Sequence, residues 1–128
     1  MVKGLDNNKC LLIYGFNQEE KEVLERVKDQ ENLGKIIEIT DTMTSMTLRN
    51  LIEGPHFEVV SKTLPKEKVI LFNNLSDNEL ENSIRAIRGS LEAKPIFAVV
   101  TPTSIEWTFA DLLEHLIEER EFFRKRQK

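Results

Sequence analysis

The side chains in this chain that could do chemistry are short and polar, and they fall where apolar runs end. Asp41 and Thr42 follow the run Ile36–Ile39, Asn73 and Asn74 follow Val69–Phe72, and Thr101, Thr103 and Ser104 follow Pro95–Val100. If those runs are strands of an open parallel sheet, their C-terminal ends are where a ligand would bind, at the point where the strand order reverses. These residues are then the ones placed to meet a small ligand or a partner.

Stronger chemistry is hard to build from the remaining residues. Cys10 is the single cysteine, which excludes an internal disulfide and any site built from several thiolates. It precedes an apolar run and has no histidine in view, so it reads as an inert thiol. His56 and His115 are far apart and neither has a zinc-type spacing, so no metal is expected. His115 falls at the flank of an apolar helical stripe, and Glu114, Glu118, Glu119 and Glu121 read as a solvated face. No G-x-G-x-x-G or G-x-x-x-x-G-K-[ST] is present, and the chain has only five glycines. The helix starts that would hold a phosphate carry Glu19 and Glu20, or Asp77 and Glu79, which complement the helix dipole themselves and repel an anion. No cofactor is expected. A receiver-domain phosphoacceptor is also rejected, because Gly15-Phe16-Asn17 stands where an acidic pair is needed.

The formal charge is −4, which leaves no basic footprint for nucleic acid. The cationic cluster Arg120, Arg124, Lys125, Arg126 and Lys128 suits a solvated helix end. No window approaches the roughly 20 apolar residues of a membrane span, and the short apolar run after Cys10 lacks the features of a signal peptide. The expectation is a cytoplasmic protein with no membrane contact.

With 128 residues, 40% hydrophobic and 31% charged, the chain reads as one α/β domain. Residues 1–9 read as a loose N-terminus and 55–67 as a connecting segment, where Phe57, Val59 and Val60 could add a brief edge strand. Leu11–Tyr14 predicts a first strand, and Asn17 with Glu20 has the spacing of a capping box before a helix through about Asp29. Ile36–Ile39 predicts a second strand, and Leu48, Leu51 and Ile52 a short helix closed by Gly54-Pro55. The order then repeats. Val69–Phe72 is a strand, Ser76 and Glu79 box a helix, Pro95–Val100 is a strand, and Thr108 caps a last helix on Phe109, Leu112, Leu113, Leu116 and Ile117.

A shift of about 59 lays Ile13 on Phe72, Phe16 on Leu75, Asn17 on Ser76 and Glu20 on Glu79. Shifts of about 60 and 61 lay Ile39 on Val99 and Leu48 on Phe109. The pattern suggests two β-α-β-α repeats, at about 10–54 and 68–124. Alternating elements imply a three-layer fold, with a mostly parallel four-stranded sheet and helices on both faces. Right-handed crossovers in the order 2-1-3-4 would put the first and third helices on opposite faces. The crevice would then form between Gly15-Phe16-Asn17 and Asn73-Asn74, flanked by Asp41-Thr42 and Thr101–Ser104.

Trp107 precedes the cap Thr108, where a hydrophobic residue staples the first turns; otherwise it forms an exposed contact with Pro102 and Ile105. Helical geometry puts Phe123 on the buried stripe and points Phe122 outward, beside the basic tail. An outward Phe122 suits self-association or partner docking.

The text VTPTSIEWTFADLLEHLIEERE, with ILFNNLSDNELENSIRAIR before it, resembles a family of small bacterial proteins catalogued as a domain of unknown function. The resemblance covers residues 68–121 and rests on the V-T-P-T and W-T positions. Ser104 stands where members carry Asn soon after the Pro. The resemblance implies an intact cytoplasmic module and no activity. Function on these grounds is a non-enzymatic protein-interaction or regulatory module, with a protein partner or a homodimer. The alternative is a small-ligand binder or minor enzyme using the strand-end crevice.

Overall fold

Cys10–Tyr14 forms β1, followed by α1 (Gln18–Glu31), β2 (Lys35–Glu38) and α2 (Leu48–Glu53). The second half gives β3 (Val69–Asn73), α3 (Asp77–Ser90), β4 (Ile96–Val99) and α4 (Phe109–Arg126). The computed structural model describes residues 9–54, 56 and 64–126, so the suggested strand at Phe57–Val60 lies outside the described residues. Two units emerge, one from residues 1–40 and 65–100, the other from 41–64 and 101–128.

The first unit is the sheet with α1 and α3. Its strand order is β2-β1-β3-β4, as expected, but the sheet is mixed. β1 pairs parallel with β2, and β3 with β4, while β1 and β3 run antiparallel. Two of the three pairings are thus parallel, and the expectation of a parallel β1–β3 pair fails for a physical reason. A strand buried on both faces is a continuous apolar run whichever way its neighbour points, and β1 and β3 are buried throughout.

Strand direction also decides the helices. Two right-handed crossovers on oppositely running strand pairs fall on the same face. Accordingly α1 and α3 share one core, with Leu24, Val27, Ile87 and Leu91 packing on Leu11, Ile13, Ile70 and Phe72. They do not lie on opposite faces. Residues of the other sheet face, Cys10, Leu12, Tyr14, Val69 and Leu71, are buried as well.

Residues 59 apart in sequence meet about the centre of this sheet. Leu12 is opposite Leu71, its mate at a shift of 59. Lys9 reaches the capping-box carboxylate of α3, Glu79, at 2.7 Å, and Lys68 reaches that of α1, Glu20, at 2.5 Å. Both boxes are closed, with Asn17 and Ser76 as N-caps. Gly15 and Asn74, again 59 apart, both take positive φ. At the outer strands the shift is 61: Ile39 donates to Ile13 O and Val100 to Phe72 O, so Ile39 matches Val100 and Glu38 matches Val99. The register of 60 is therefore corrected by one residue.

The second unit holds α2, α4 and two 3₁₀ turns, Asp41–Met43 and Ser104–Glu106. Thr47 and Thr108 form an isolated antiparallel bridge. The Leu48 N–H donates to Trp107 O at 2.9 Å and the Phe109 N–H to Met46 O at 3.0 Å. Both threonines also cap helices, Thr47 Oγ1 accepting from the Asn50 N–H and Thr108 Oγ1 from the Asp111 N–H. Leu48, Leu51, Ile52, Phe109, Leu112 and Leu113 are buried. Phe123 departs from its expected place: it is 59% exposed and Phe122 56%, because the stripe of α4 outruns the residues that cover it.

Candidate functional site

The antiparallel junction of β1 and β3 separates the residues expected to share a crevice. Asn73 is opposite Cys10, at the start of β1, whereas Gly15 follows the end of β1. The strand ends that were to converge thus lie at opposite ends of the sheet. Asn73 is buried and its side chain bonds the Cys10 thiol. Burial pushes that thiol up to about 11, and nearby Lys35 and the Asn73 bond pull back only part of the shift. Asn74 is exposed, in the left-handed region at φ 65°.

The remaining candidates belong to the second unit. Asp41 and Thr42 sit in the first 3₁₀ turn, where the Thr44 hydroxyl donates to Asp41 O at 3.2 Å. Thr101 and Ser104 bind each other across the second turn. The Thr101 N–H donates to Ser104 Oγ at 2.9 Å, the Ser104 N–H donates to Thr101 Oγ1 at 2.9 Å, and the two hydroxyls lie 3.1 Å apart. These reciprocal bonds tie the two side chains to the turn that follows β4. Thr103 precedes the turn and makes no capping bond with its side chain.

Trp107 is half-buried, and its ring meets the His115 ring edge-on at 5.3 Å and 87°. With Asp111, Glu114 and Glu118 these two rings line an open groove of about 330 Å³. His115 Nε2 also lies 3.3 Å from Glu119. The acids had read as a solvated face. Their spacing of three and four residues from Asp111 through Glu114 and His115 to Glu118 places them on one helical stripe, and Trp107 at the helix start turns that stripe into a groove. An aromatic face with several carboxylates favours cations. A second concavity, about 480 Å³, lies beside β4 and is lined by Arg88, Leu91, Glu92, Ala93, Lys94, Pro95 and Phe97. There the Arg88 guanidinium stands over the Phe97 ring at 5.3 Å.

Among the described residues no group of His, Cys, Asp and Glu is arranged to hold a metal ion, and no helix is long and apolar enough to cross a membrane. No curated protein and no solved structure matches the chain. A family model does match residues 68–123, which run from the start of β3 into α4: this half of the chain is similar to a domain of unknown function, DUF3783.

Proposed function

We propose that the protein is a non-enzymatic interaction module, and that its Trp107 groove receives a cationic side chain of a protein partner. The reading is carried by a difference between the halves. At equivalent positions Met46 is buried and Trp107 is half-exposed, while α2 has 6 residues and α4 has 18. Forming the bridge and capping the helix need only the short version, so the extension of α4 and its groove are surplus to the fold. The three carboxylates around Trp107 give that surplus surface a charge preference.

The repeated pairing of equivalent residues, at Leu12 with Leu71 and at Thr47 with Thr108, supports descent from a duplicated β-α-β-α unit. In such a chain one copy can keep the fold while the other diverges for binding.

Trp107 is the sole tryptophan, so intrinsic fluorescence reports the groove directly. Titration with a hexa-arginine peptide is expected to give a saturable change that weakens with salt. A hexa-glutamate peptide should give none, and the Glu114→Gln/Glu118→Gln variant should lose the response. An unchanged spectrum with hexa-arginine, or equal responses to both peptides, refutes the reading.

A further inference from the structure

The two outer edges of the sheet occupy equivalent places in the two halves, and their chemistry differs. On the β2 edge Glu38 is exposed and held at 2.8 Å by Lys21 of α1. The equivalent residues on the β4 edge are Val99 and Leu80, and the equivalent of Lys35 is Ile96. An ion pair and a lysine have become three apolar side chains, with Val99 48% exposed. Charges are the usual device that keeps a sheet edge from pairing with another chain. β2 keeps the device and β4 lacks it: no charge falls between Pro95 and Thr101.

The backbone of β4 is also presented for pairing. Ile96 and Val100 donate to Lys68 O and Phe72 O of the β3 side, so the alternation of a strand turns the N–H and C=O groups of Phe97 and Val99 outward. Among the described residues no strand lies beyond β4.

We infer that β4 pairs antiparallel with β4 of a second copy of this chain, about a two-fold axis at Ala98, making one continuous eight-stranded sheet. The register is set by self-complementarity. With Ala98 opposite its own mate, Phe97 of each copy faces Val99 of the other, and each facing pair exchanges two backbone bonds. Ala98 then occupies the closely spaced, non-hydrogen-bonded position, where a small side chain fits. Phe97 and Val99 project to the face of the sheet that carries α3, as their partners Ile70 and Phe72 do. Val99 of the second copy therefore covers Phe97 at the mouth of the concavity formed with Arg88 and Pro95. No charged residue lies in the paired stretch Ile96–Val100, so the register opposes no like charges.

Sedimentation equilibrium over about a hundredfold range of concentration should show a dimer whose population follows mass action. Val99→Lys, which restores an edge charge at a half-exposed position, should weaken the dimer at least about tenfold. Its far-UV circular dichroism, and its Tm measured at concentrations where both proteins are monomers, should match the parent protein. Ala98→Cys should form an intermolecular disulfide on mild oxidation, whereas Glu38→Cys on the β2 edge should not. A chain that sediments as a monomer throughout overturns the inference. So does a dimer indifferent to Val99→Lys, which would lie elsewhere, for example at Phe122. An Ala98→Cys variant that stays reduced, or a Glu38→Cys variant that links as readily, also overturns it.

Discussion

Gly15→Ala should be among the most damaging single substitutions in the chain. Gly15 has φ +91°, a region costing an L-residue about 1–2 kcal/mol. A Cβ placed there would also lie 2.1 Å from the carbonyl oxygen of Glu67 and 3.1 Å from its carbon. Carbon and oxygen of unbonded groups normally stay beyond about 3.3 Å, so the chain must open by about 1 Å. The obstacle is backbone, with no flexible side chain to swing aside. That backbone is itself anchored: Lys68 O accepts from Ile96 at 2.8 Å, and Lys68 Nζ holds Glu20.

The sum is about 3–5 kcal/mol, a fall in Tm of roughly 10 to 20 °C for a chain of this length. Urea unfolding followed by far-UV circular dichroism measures it. The equivalent residue, Asn74 at φ 65°, separates the two causes. Asn tolerates the left-handed region, so Asn74→Gly should change stability by less than about 1 kcal/mol. Gly15→Asn should still cost nearly as much as Gly15→Ala, because the collision with Glu67 remains. A Gly15→Ala variant that melts within about 4 °C of the parent would show that β1 and the Glu67 carbonyl do not approach so closely.

The paired carboxylates predict a specific acid response. The Lys9 ammonium and the Ser76 N–H hold Glu79 below its ordinary 4.5. For Glu20 burial pushes the other way, but the Lys68 hydrogen bond and charge and the Asn17 N–H outweigh it. With folded values below unfolded ones, the stabilisation is present above the unfolded value and lost as pH falls through the folded one. Lys9→Met with Lys68→Met should flatten the urea midpoint against pH in that acid window; an unchanged slope would exclude these pairs as its source. For Cys10, buried and raised to about 11, disulfide-exchange reagents at about pH 8 should label the unfolded chain and spare the native one. Rapid native labelling would contradict its burial.

Much of the fold was legible in residue types whose role is local. Asn17 with Glu20 and Ser76 with Glu79 name the starts of α1 and α3 by capping chemistry, and both boxes form. The strand order 2-1-3-4, proposed with the alternating elements, is the one observed. The direction of β3 against β1 was not legible, because runs such as CLLIY and VILFN are buried on both faces and carry no sign of their neighbour's direction. That one undetermined sign moved both helices to one face and parted Asn73 from Gly15. The Trp107 groove was hidden differently. Glu114 and Glu118 on a helix are ordinary solvated residues until an aromatic ring is known to stand beside them.

What remains distinctive is where the halves disagree. Positions that build the fold carry matched chemistry: lysine to capping glutamate twice, threonine to threonine, leucine to leucine. Those contacts hold sheet and helix starts together, and substitutions there should be read out as stability. Three of the unmatched positions stand out: Met46 against Trp107, Glu38 against Val99 and Lys21 against Leu80. Each exchanges a buried or charged side chain for one that offers aromatic or apolar surface, and all three changes fall on the half similar to DUF3783. Polar-to-apolar change at an exposed edge raises the hazard of aggregation unless something covers it. Giving Val99 the charge of Glu38 should therefore abolish the dimer, and giving position 107 the methionine of position 46 should abolish the hexa-arginine response, each with the Tm of the monomer unchanged. The opposite exchange, Glu38→Val with Lys21→Leu, should give the β2 edge the same tendency to pair.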